Sequence, residues 1–560
     1  MKFLGKVLLT LLLFLLLVVV ALYVLLQTQW GAGWIGRQVS ADSDYQLSLS
    51  KMEHNFSDPS HLLLNNVSFG RKGQPATLVA KRVNLGLGLV QFSNPLHFAS
   101  IRLEQGTLNL SEKSAPLSLQ ADRLQLSQMA LNRNEGQWPL QAQRVDGGVM
   151  PWKPEAGKLL GNEARFQMSA GSLTLNGVPA ANVLIQGDLK GQQLQFSNLG
   201  ADMALGSVTA SAQRDANGTW QVSTLRLNSI RLQTDKTLRD FLQPLGELPP
   251  VHFDRIDVTD ARLEGQDWAV TDLDLNLKDL SLSQSDWQSD NGSLSMNASS
   301  FVNGSLQLND PIANMDFSPQ GIAITQFSSR WVNGLVRAQG NWTRSDRKLT
   351  LDELVIAGLE YTVPLNWRDR WMQPLPAWLD SVEVTKFSAN RNLIIDINPD
   401  FPFQMTALDG TGSRLLMARE HQWGFWAGNL SVNAAEATFN RVDLRHPSLT
   451  LNADDNHINV TEMSAFSHEG MLEGLATVSQ QPQRALSLTL TGRQVPVNLL
   501  NDWGWPQVPL QGKGNLQLKL QGALTADRTL RSSANGTLAV STGDRTVQQT
   551  MQAGQVPGAQ

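Results

Sequence analysis

The residues from Asp272 to Ser283 read DLDLNLKDLSLS, and this alternation of leucine with polar residues decides the fold class. Successive side chains of a β-strand point to opposite faces, so the leucines share one face and the aspartates the other. The first leucines of this row are Leu273, Leu275 and Leu277. The alternation slips by one residue at Asp279 before leucine resumes, which predicts a turn or a β-bulge at that point.

Alternation with a period of two recurs along almost the whole chain. One row runs from Val83 to Leu89, and a second slip lies between Leu227 and Ile230. Asn-Gly pairs between such rows are typical of tight hairpins. They begin at Asn176, Asn217, Asn291, Asn303, Asn333 and Asn535. About one strand per 11–12 residues would give on the order of 45 strands, most of them antiparallel. The sequence therefore predicts a mainly β protein.

A short phrase, Gly-x-apolar-x-apolar, recurs among these rows, and its glycine is predicted to open a strand. Its two apolar residues would then point to the same side of the sheet. The copies begin at Gly106, Gly171, Gly206, Gly292, Gly304, Gly428, Gly514 and Gly536.

A longer repeat aligns Pro95–Leu108 with Pro250–Leu263 without a gap, and a looser copy covers 377–389. Helical spacing precedes the second copy, with Thr237 as its predicted N-cap. We expect short helices and proline breaks to join successive sheet segments near residues 90, 236, 366 and 495. Such recurrence is typical of elongated architectures in which each unit rests on its neighbours. Because His97 and His252 occupy equivalent places, we expect both to be structural.

Near the N-terminus, Val7 to Leu26 form an uncharged apolar run long enough for a helix to span a bilayer. Lys2 and Lys6 precede it, so the N-terminus should stay in the cytoplasm. Trp30 and Trp34 suit the opposite interface. A cleaved signal peptide is the alternative, but its apolar run would be shorter and would end in a small-x-small site, which is not seen here. We therefore expect a retained anchor.

Composition excludes several classes of function. A net charge of −5 argues against nucleic acid as a partner, and zero cysteines exclude thiol catalysis and cysteine-based metal sites. The Asp272/Asp274 and Asp454/Asp455 pairs could hold a cation or act as catalysts, but Asp272 and Asp274 are more simply the solvated face of a strand. No nucleotide-binding or serine-hydrolase motif is found. We expect no catalytic residue, no metal and no cofactor.

The predicted organisation has five parts. Residues 1–6 would be cytoplasmic, and residues 7–26 would form the transmembrane helix. Residues 27–235, 236–365 and 366–560 would be successive β segments, the last ending in a flexible tail from Gln549 onward.

The positive N-terminus and the single apolar helix, with three sequence phrases, resemble the AsmA-like family of Gram-negative inner-membrane and periplasmic proteins. The phrases are Leu62–Phe69, the Ile101–Leu110 phrase, and the C-terminal stretch Leu524–Leu538. The resemblance implies an elongated, curved repeating-β-groove sheet in the periplasm. It also implies that phospholipid is carried along an apolar trough between the inner and outer membranes.

The leading hypothesis is therefore a membrane-anchored, non-enzymatic protein that binds phospholipid acyl chains and maintains the cell envelope. An envelope hydrolase would need clustered carboxylates, which the spacing does not show. The alternative is a scaffold that modulates outer-membrane protein assembly through exposed strand edges. Periodicity does not distinguish an open groove from a filled core. The candidate lipid-facing residues are Leu108, Leu110, Leu173, Leu175, Leu273, Leu275, Leu277, Leu306, Leu308, Leu516 and Leu518.

Overall fold

The computed structural model describes residues 2–110, 119–134, 139–155, 158–284, 286–525 and 529–557, with side chains from residue 6 onward. Within these ranges the chain is mainly β, as predicted. Its helices are α1 (Lys2–Leu26), α2 (Gln29–Asp42), α3 (Leu238–Leu242), α4 (Trp367–Met372) and α5 (Leu530–Ser533). Short 3-10 helices cover Leu89–Phe92, Gln243–Glu247 and Leu499–Asn501.

The strands of the first half of the chain are β1 (Tyr45–Ser48), β2 (Lys51–Asn55), β3 (Asp58–Arg71), β4 (Leu78–Gly86), β5 (His97–Phe98), β6 (Ser100–Asn109), β7 (Gln120–Ala121), β8 (Leu124–Arg133), β9 (Leu140–Met150), β10 (Glu163–Leu175), β11 (Val178–Lys190), β12 (Gln193–Met203), β13 (Gly206–Arg214), β14 (Trp220–Asn228), β15 (Arg231–Gln233), β16 (Val251–Gly265) and β17 (Trp268–Ser283).

The remaining strands are β18 (Asp286–Trp287), β19 (Gly292–Asn297), β20 (Ser300–Asn303), β21 (Leu306–Ser318), β22 (Gly321–Trp331), β23 (Gly334–Thr343), β24 (Lys348–Ala357), β25 (Glu360–Thr362), β26 (Ser381–Asp396), β27 (Phe403–Arg419), β28 (Gln422–Asn433), β29 (Glu436–Phe439), β30 (Val442–Ala453), β31 (His457–Ser467), β32 (Gly470–Ser479), β33 (Ala485–Pro496), β34 (Lys513–Ala523), β35 (Asn535–Thr542) and β36 (Arg545–Met551).

Among the described residues, 34 strands belong to one hydrogen-bonded sheet, and β5 and β7 form a second, two-stranded one. The strands are fewer than the sequence predicted because many are long, and β27 alone has 17 residues. Most neighbours are antiparallel. The pairs β5–β7, β6–β8, β14–β16, β24–β26 and β25–β26 are parallel, which the alternation did not reveal.

Helical segments lie at all four predicted joints: Leu89–Phe92, α3, α4 and Leu499–Asn501. Two of them, α3 and α4, connect parallel neighbours, which need a crossover connection because a tight hairpin reverses the chain. The predicted N-cap is confirmed, since the Asp240 amide donates to Thr237 Oγ1 at 3.2 Å.

The chain forms two compact units. Unit 1 comprises Met1–Thr234, Leu242–Leu263 and Lys278–Asp286. Unit 2 comprises Asp235–Phe241, Glu264–Leu277 and Trp287–Gln560. The three-segment division of the β region stays a prediction.

Bulges inside the strands account for the slips in the sequence. Asp279 and Ser229, where the alternation shifts, have φ angles of 52° each, in the left-handed region. Ser229 lies beside Asp260, which has a φ of 51° on the neighbouring strand, and Ser229 Oγ donates to the Asp260 carboxylate at 3.1 Å. Hydrogen bonds from Arg231 and Ser229 lower the pKa of Asp260. The extra residue at each bulge returns the apolar side chains to one face.

The chain makes a close corner between α1 and α2, which the sequence did not predict. A Cβ atom at position 31 would lie 2.5 Å from the Leu25 carbonyl oxygen, so the corner between α1 and α2 requires Gly31. Thr28 caps α2, and Ala32 and Gly36 are buried on the side of α2 that packs on the first strands. Trp30 and Trp34 remain exposed.

Several local predictions were wrong. Asn535-Gly536 opens β35 instead of forming a hairpin turn. The backbone at Gly536 passes close to β34, since a Cβ at 536 would lie 2.3 Å from the Lys519 carbonyl oxygen. Gly106 and Gly171 lie inside strands, not at their starts. The row from Val83 ends as a strand at Gly86. The first residues of the predicted tail belong to β36, which ends at Met551. Residues 558–560 of the tail lie outside the described residues, and so do Ala526 to Arg528 of the C-terminal phrase.

We expect Gly106→Ala to lower the free energy of unfolding of the full-length protein by about 1–3 kcal/mol, as overpacking does. A Cβ there would lie 1.9 Å from the Val79 carbonyl oxygen on β4. The matched control is Gly200→Ala in β12, where a Cβ meets nothing within 4 Å. Thermal unfolding followed by circular dichroism measures both, and equal midpoints would contradict the close approach of β4 and β6.

Candidate functional site

Cross-strand partners on one side of the sheet are apolar on strand after strand. In unit 1, β3 to β10 contribute one such row, in which each residue is the direct neighbour of the next. The row consists of Leu62, Leu85, Ile101, Leu124, Val149 and Phe166. Directly opposite side chains share a face of the sheet, so these residues form part of a continuous surface, here called the apolar face.

The first strands of unit 1 carry a covered part of the apolar face. Ile101 and Val149 are 2% and 1% exposed, and Ala32 of α2 and Trp152 belong to the same buried cluster. Leu108 and Leu173 pack against this cluster and are half-buried. Leu110 is half-buried and Leu175 is 38% exposed. The N-terminal part of the apolar face is therefore a filled core.

Beyond β11 the apolar face of unit 1 is less deeply buried. Leu194 and Phe196 of β12 still pack against the buried cluster of the first strands. The apolar side chains of β12 to β14 are half-buried, and most of their cross-strand partners are apolar, although Leu194 faces Arg214. They include Leu194, Phe196, Leu199, Val208, Val222, Leu225 and Leu227.

Unit 2 repeats the open arrangement on β21 to β24. Phe327 of β22 faces Ala313 on one side and Ala338 on the other, and Ala338 faces Leu354. Apart from the buried Ala313, these residues are half-buried. Leu430, Leu449, Leu451 and Val460 form a similar half-buried group on β28, β30 and β31.

Five candidate leucines lie in or near this part of the sheet. Leu306 is 40% exposed, whereas Leu273 is 9% exposed. Leu275, Leu277 and Leu308 are half-buried.

The last strands of unit 2 form a second filled core. Val497, Leu500, Trp505 and Leu510, in the connection after β33, are buried in one cluster with residues of β34 and β35. Leu516 and Leu518 belong to this cluster and are 2% and 5% exposed. These two candidates are therefore core residues, because a segment of the same chain covers them.

Polar groups occupy the opposite side of the open strands. Gln326, beside Phe327 in sequence, is exposed and accepts from Asn314 Nδ2 at 3.0 Å. Asp272 is exposed at a bulge and accepts from Ser299 Oγ at 2.7 Å. Asp454 caps a turn through the amides of residues 456 and 457. These carboxylates stabilise bulges and turns.

The predicted structural histidines also have local partners. His97 Nε2 lies 2.8 Å from Asp122 Oδ1, and His252 Nδ1 lies 2.7 Å from Ser281 Oγ. Equivalent places in the repeat thus carry different contacts that hold neighbouring strands.

Trp426 of β28 is a buried aromatic residue, 7% exposed. Two guanidinium groups cover its ring, Arg419 at 4.5 Å and Arg484 at 4.8 Å from the centroid. Burial, and secondarily the charge of Arg419, lower the pKa of Arg484. Arg419 also pairs with Asp455 at 3.0 Å, so the cluster joins three neighbouring turns of unit 2.

Comparison with known protein families identifies the family of this chain. The AsmA family model matches residues 1–548. The chain belongs to the AsmA family. It is also 54% identical to the AsmA family protein YicH of Escherichia coli strain K12. The alignment has 555 residues and covers 99% of this chain and 98% of that relative. The resemblance inferred from the sequence phrases is therefore confirmed.

Sequence reasoning missed most of the open positions in this AsmA family chain. Phe196, Ile324, Phe327 and Leu351 belong to alternating rows, but they lie outside the glycine phrase and the Asp272–Ser283 row that contain the candidates. Cross-strand register places each of them in the ladder of its own unit, and register depends on residues far apart in sequence. The alternation itself was the signal that could have found them.

Exposure of the apolar face predicts how truncation changes stability. We expect Leu538→Ala, at a residue 1% exposed in the C-terminal core, to lower the free energy of unfolding by about 2–5 kcal/mol. Leu351→Ala, at a half-buried position on β24, should cost less because its side chain contributes less buried area. Denaturant unfolding of the full-length protein measures both. Equal losses would mean that Leu351 is covered.

Proposed function

We propose that this AsmA family protein is a membrane-anchored, non-enzymatic carrier that holds phospholipid by its acyl chains on the open apolar face. The observation that supports the proposal is the contrast within each unit. The apolar ladder is deeply buried near the ends of the chain, whereas on β12–β14 and β21–β24 most of its large side chains are only half-buried. A ladder that is incompletely covered is costly in water, and an acyl chain would complete its second layer.

The energy of this contact is adequate for binding without a deep pocket. Each buried CH₂ contributes about 0.8 kcal/mol, so even partial contact along an acyl chain amounts to several kcal/mol. Transport along the ladder would be passive, since the ladder offers repeated similar contacts. Any input of energy would come from a partner.

The proposed location is the inner membrane, with the N-terminus in the cytoplasm and the β region in the periplasm. From Lys6 to Leu26, α1 is long and apolar enough to cross a bilayer. Lys2 and Lys6 at its start favour the cytoplasmic side. AsmA family membership implies a role in the cell envelope, and we propose that this role is phospholipid transfer between the inner and outer membranes.

A photo-crosslinking amino acid at Phe327 tests the proposal directly. Replacement of one aromatic side chain by another of similar shape should preserve the fold. We expect ultraviolet light to join the Phe327 variant to phospholipid in cells, detected by mass spectrometry of the purified protein. Gln326, exposed on the opposite side, and Leu518, in the filled core, are control positions at which we expect no lipid adduct.

The same experiment separates the alternative function. A protein adduct at Phe327 without lipid would favour the scaffold that modulates outer-membrane protein assembly, because the apolar face would then contact a client. No adduct at Phe327 would mean that the face is unoccupied and would contradict both.

A charge placed on the apolar face should interrupt the bound chain. We expect Ala338→Glu to reduce co-purifying phospholipid about tenfold, the factor that about 1.4 kcal/mol produces, because a carboxylate loses solvation when an acyl chain covers it. Gln339→Glu adds the same charge to the next residue, which is exposed on the other side of β23. Lipid extraction and quantification from the two full-length variants measures the effect, and equal lipid content would contradict the proposed site.

A further inference from the structure

Apolar residues are exposed on a short turn that follows β4. Leu89 and Phe92 belong to the 3-10 helix Leu89–Phe92 and are 85% and 90% exposed. The turn is hydrogen-bonded within itself, since the Gly88 amide donates to Gln91 Oε1 at 2.5 Å and the Asn94 amide donates to the Val90 carbonyl at 2.8 Å. Its conformation therefore directs these side chains away from the sheet instead of continuing the row predicted by the alternation.

The turn lies beside the hairpin between β2 and β3. The Leu87 amide donates to the Ser60 carbonyl at 2.6 Å, which joins the start of the turn to this hairpin. Phe56, at the tip of the hairpin, is 79% exposed. We call Phe56, Leu89 and Phe92 the anchor-end surface.

The hairpin is in turn bonded to the end of α1. Tyr23 Oη lies 2.7 Å from His54 Nδ1 and donates to the His54 carbonyl at 3.0 Å. The rings of Tyr23 and Phe56 are 5.0 Å apart between centroids. Tyr23 is in the last turn of α1, which ends at Leu26, so the anchor-end surface is continuous with the end of the apolar helix.

We propose that the anchor-end surface inserts into the interfacial layer of the same bilayer that α1 spans. This inference rests on the proposed membrane anchor. Large apolar and aromatic side chains gain free energy at the level of lipid headgroups, whereas full exposure to water is unfavourable for them. Contact with Tyr23 places Phe56 at the depth where α1 leaves the hydrocarbon region. A bilayer is therefore the occupant that the geometry favours over a protein partner.

The second contact would limit how the β-structure moves relative to its anchor. A single helix allows rotation and tilt, but a helix plus an inserted turn on β3 and β4 does not. Because β3 and β4 also carry the first residues of the apolar face, the inserted turn would hold the start of that face at the membrane surface.

The absence of cysteine from the sequence makes a site-specific test simple. Phe92→Cys is labelled with an environment-sensitive fluorophore in the full-length protein, which is reconstituted into vesicles of phosphatidylethanolamine and phosphatidylglycerol. We expect a blue shift of emission and loss of fluorescence when the lipids carry bromine near the headgroup. Leu205→Cys is the matched control, since Leu205 is 91% exposed at the turn between β12 and β13. It lies six strand pairings from β4, about 29 Å at a spacing of about 4.8 Å.

A third label, at Leu13→Cys in the middle of α1, separates the two proposals when it is measured with lipids that carry bromine near the ends of their acyl chains, at the depth of Leu13. Quenching at Leu13 without quenching at Phe92 would overturn the inserted turn and leave the anchor intact. No quenching at Leu13 would overturn both. A Phe92 label that is protected from aqueous iodide but not quenched by brominated lipid would identify a protein contact and would also overturn this inference.

Discussion

The constraint on which the structure depends is the register between neighbouring strands. Each strand can keep an apolar face only if its apolar residues lie opposite apolar residues on both neighbours, because a shift of one residue moves every side chain to the other face. Bulges make this possible over many strands. Gln128, with a φ of 52°, is held by Asp146, which accepts from the Gln128 amide at 3.0 Å. Arg391 and Asp409 repeat this contact at 2.7 Å.

Whether a given part of the apolar face is a filled core depends on a second layer, not on the face itself. The connection that carries Leu500 and Trp505 covers the last strands, and α2 and Trp152 contribute to the cover over the first. The strands between have the same ladder with mostly half-buried side chains, and Leu375 and Leu379 after α4 pack against Trp342 and Leu349 of β23 and β24. The segments that connect strands therefore decide how far each part of the ladder is covered.

Local features of the fold could be predicted from sequence, whereas non-local ones could not. The end of α1 at Leu26, the cap at Thr237 and the bulge at Asp279 each depend on residues close together in the chain. The parallel pairing of β14 with β16 depends on a crossover whose direction alternation does not encode. The burial of Leu518 depends on residues 497 to 510, which periodicity cannot place over β34. Alternation therefore identified the apolar face but not the cover that separates its filled parts from its open parts.

Small residues on the apolar face keep the height of its surface nearly constant along the sheet. Glycines recur in the ladder directly opposite large side chains, and those side chains lie over them. A Cβ at Gly187 would lie 2.9 Å from Phe166 Cζ, and one at Gly474 would lie 2.6 Å from Met463 Cε. A larger residue at either position would displace its neighbour and raise a step on the surface. The pairing of glycine with a large apolar neighbour therefore keeps this side of the sheet level where covering segments pack on it.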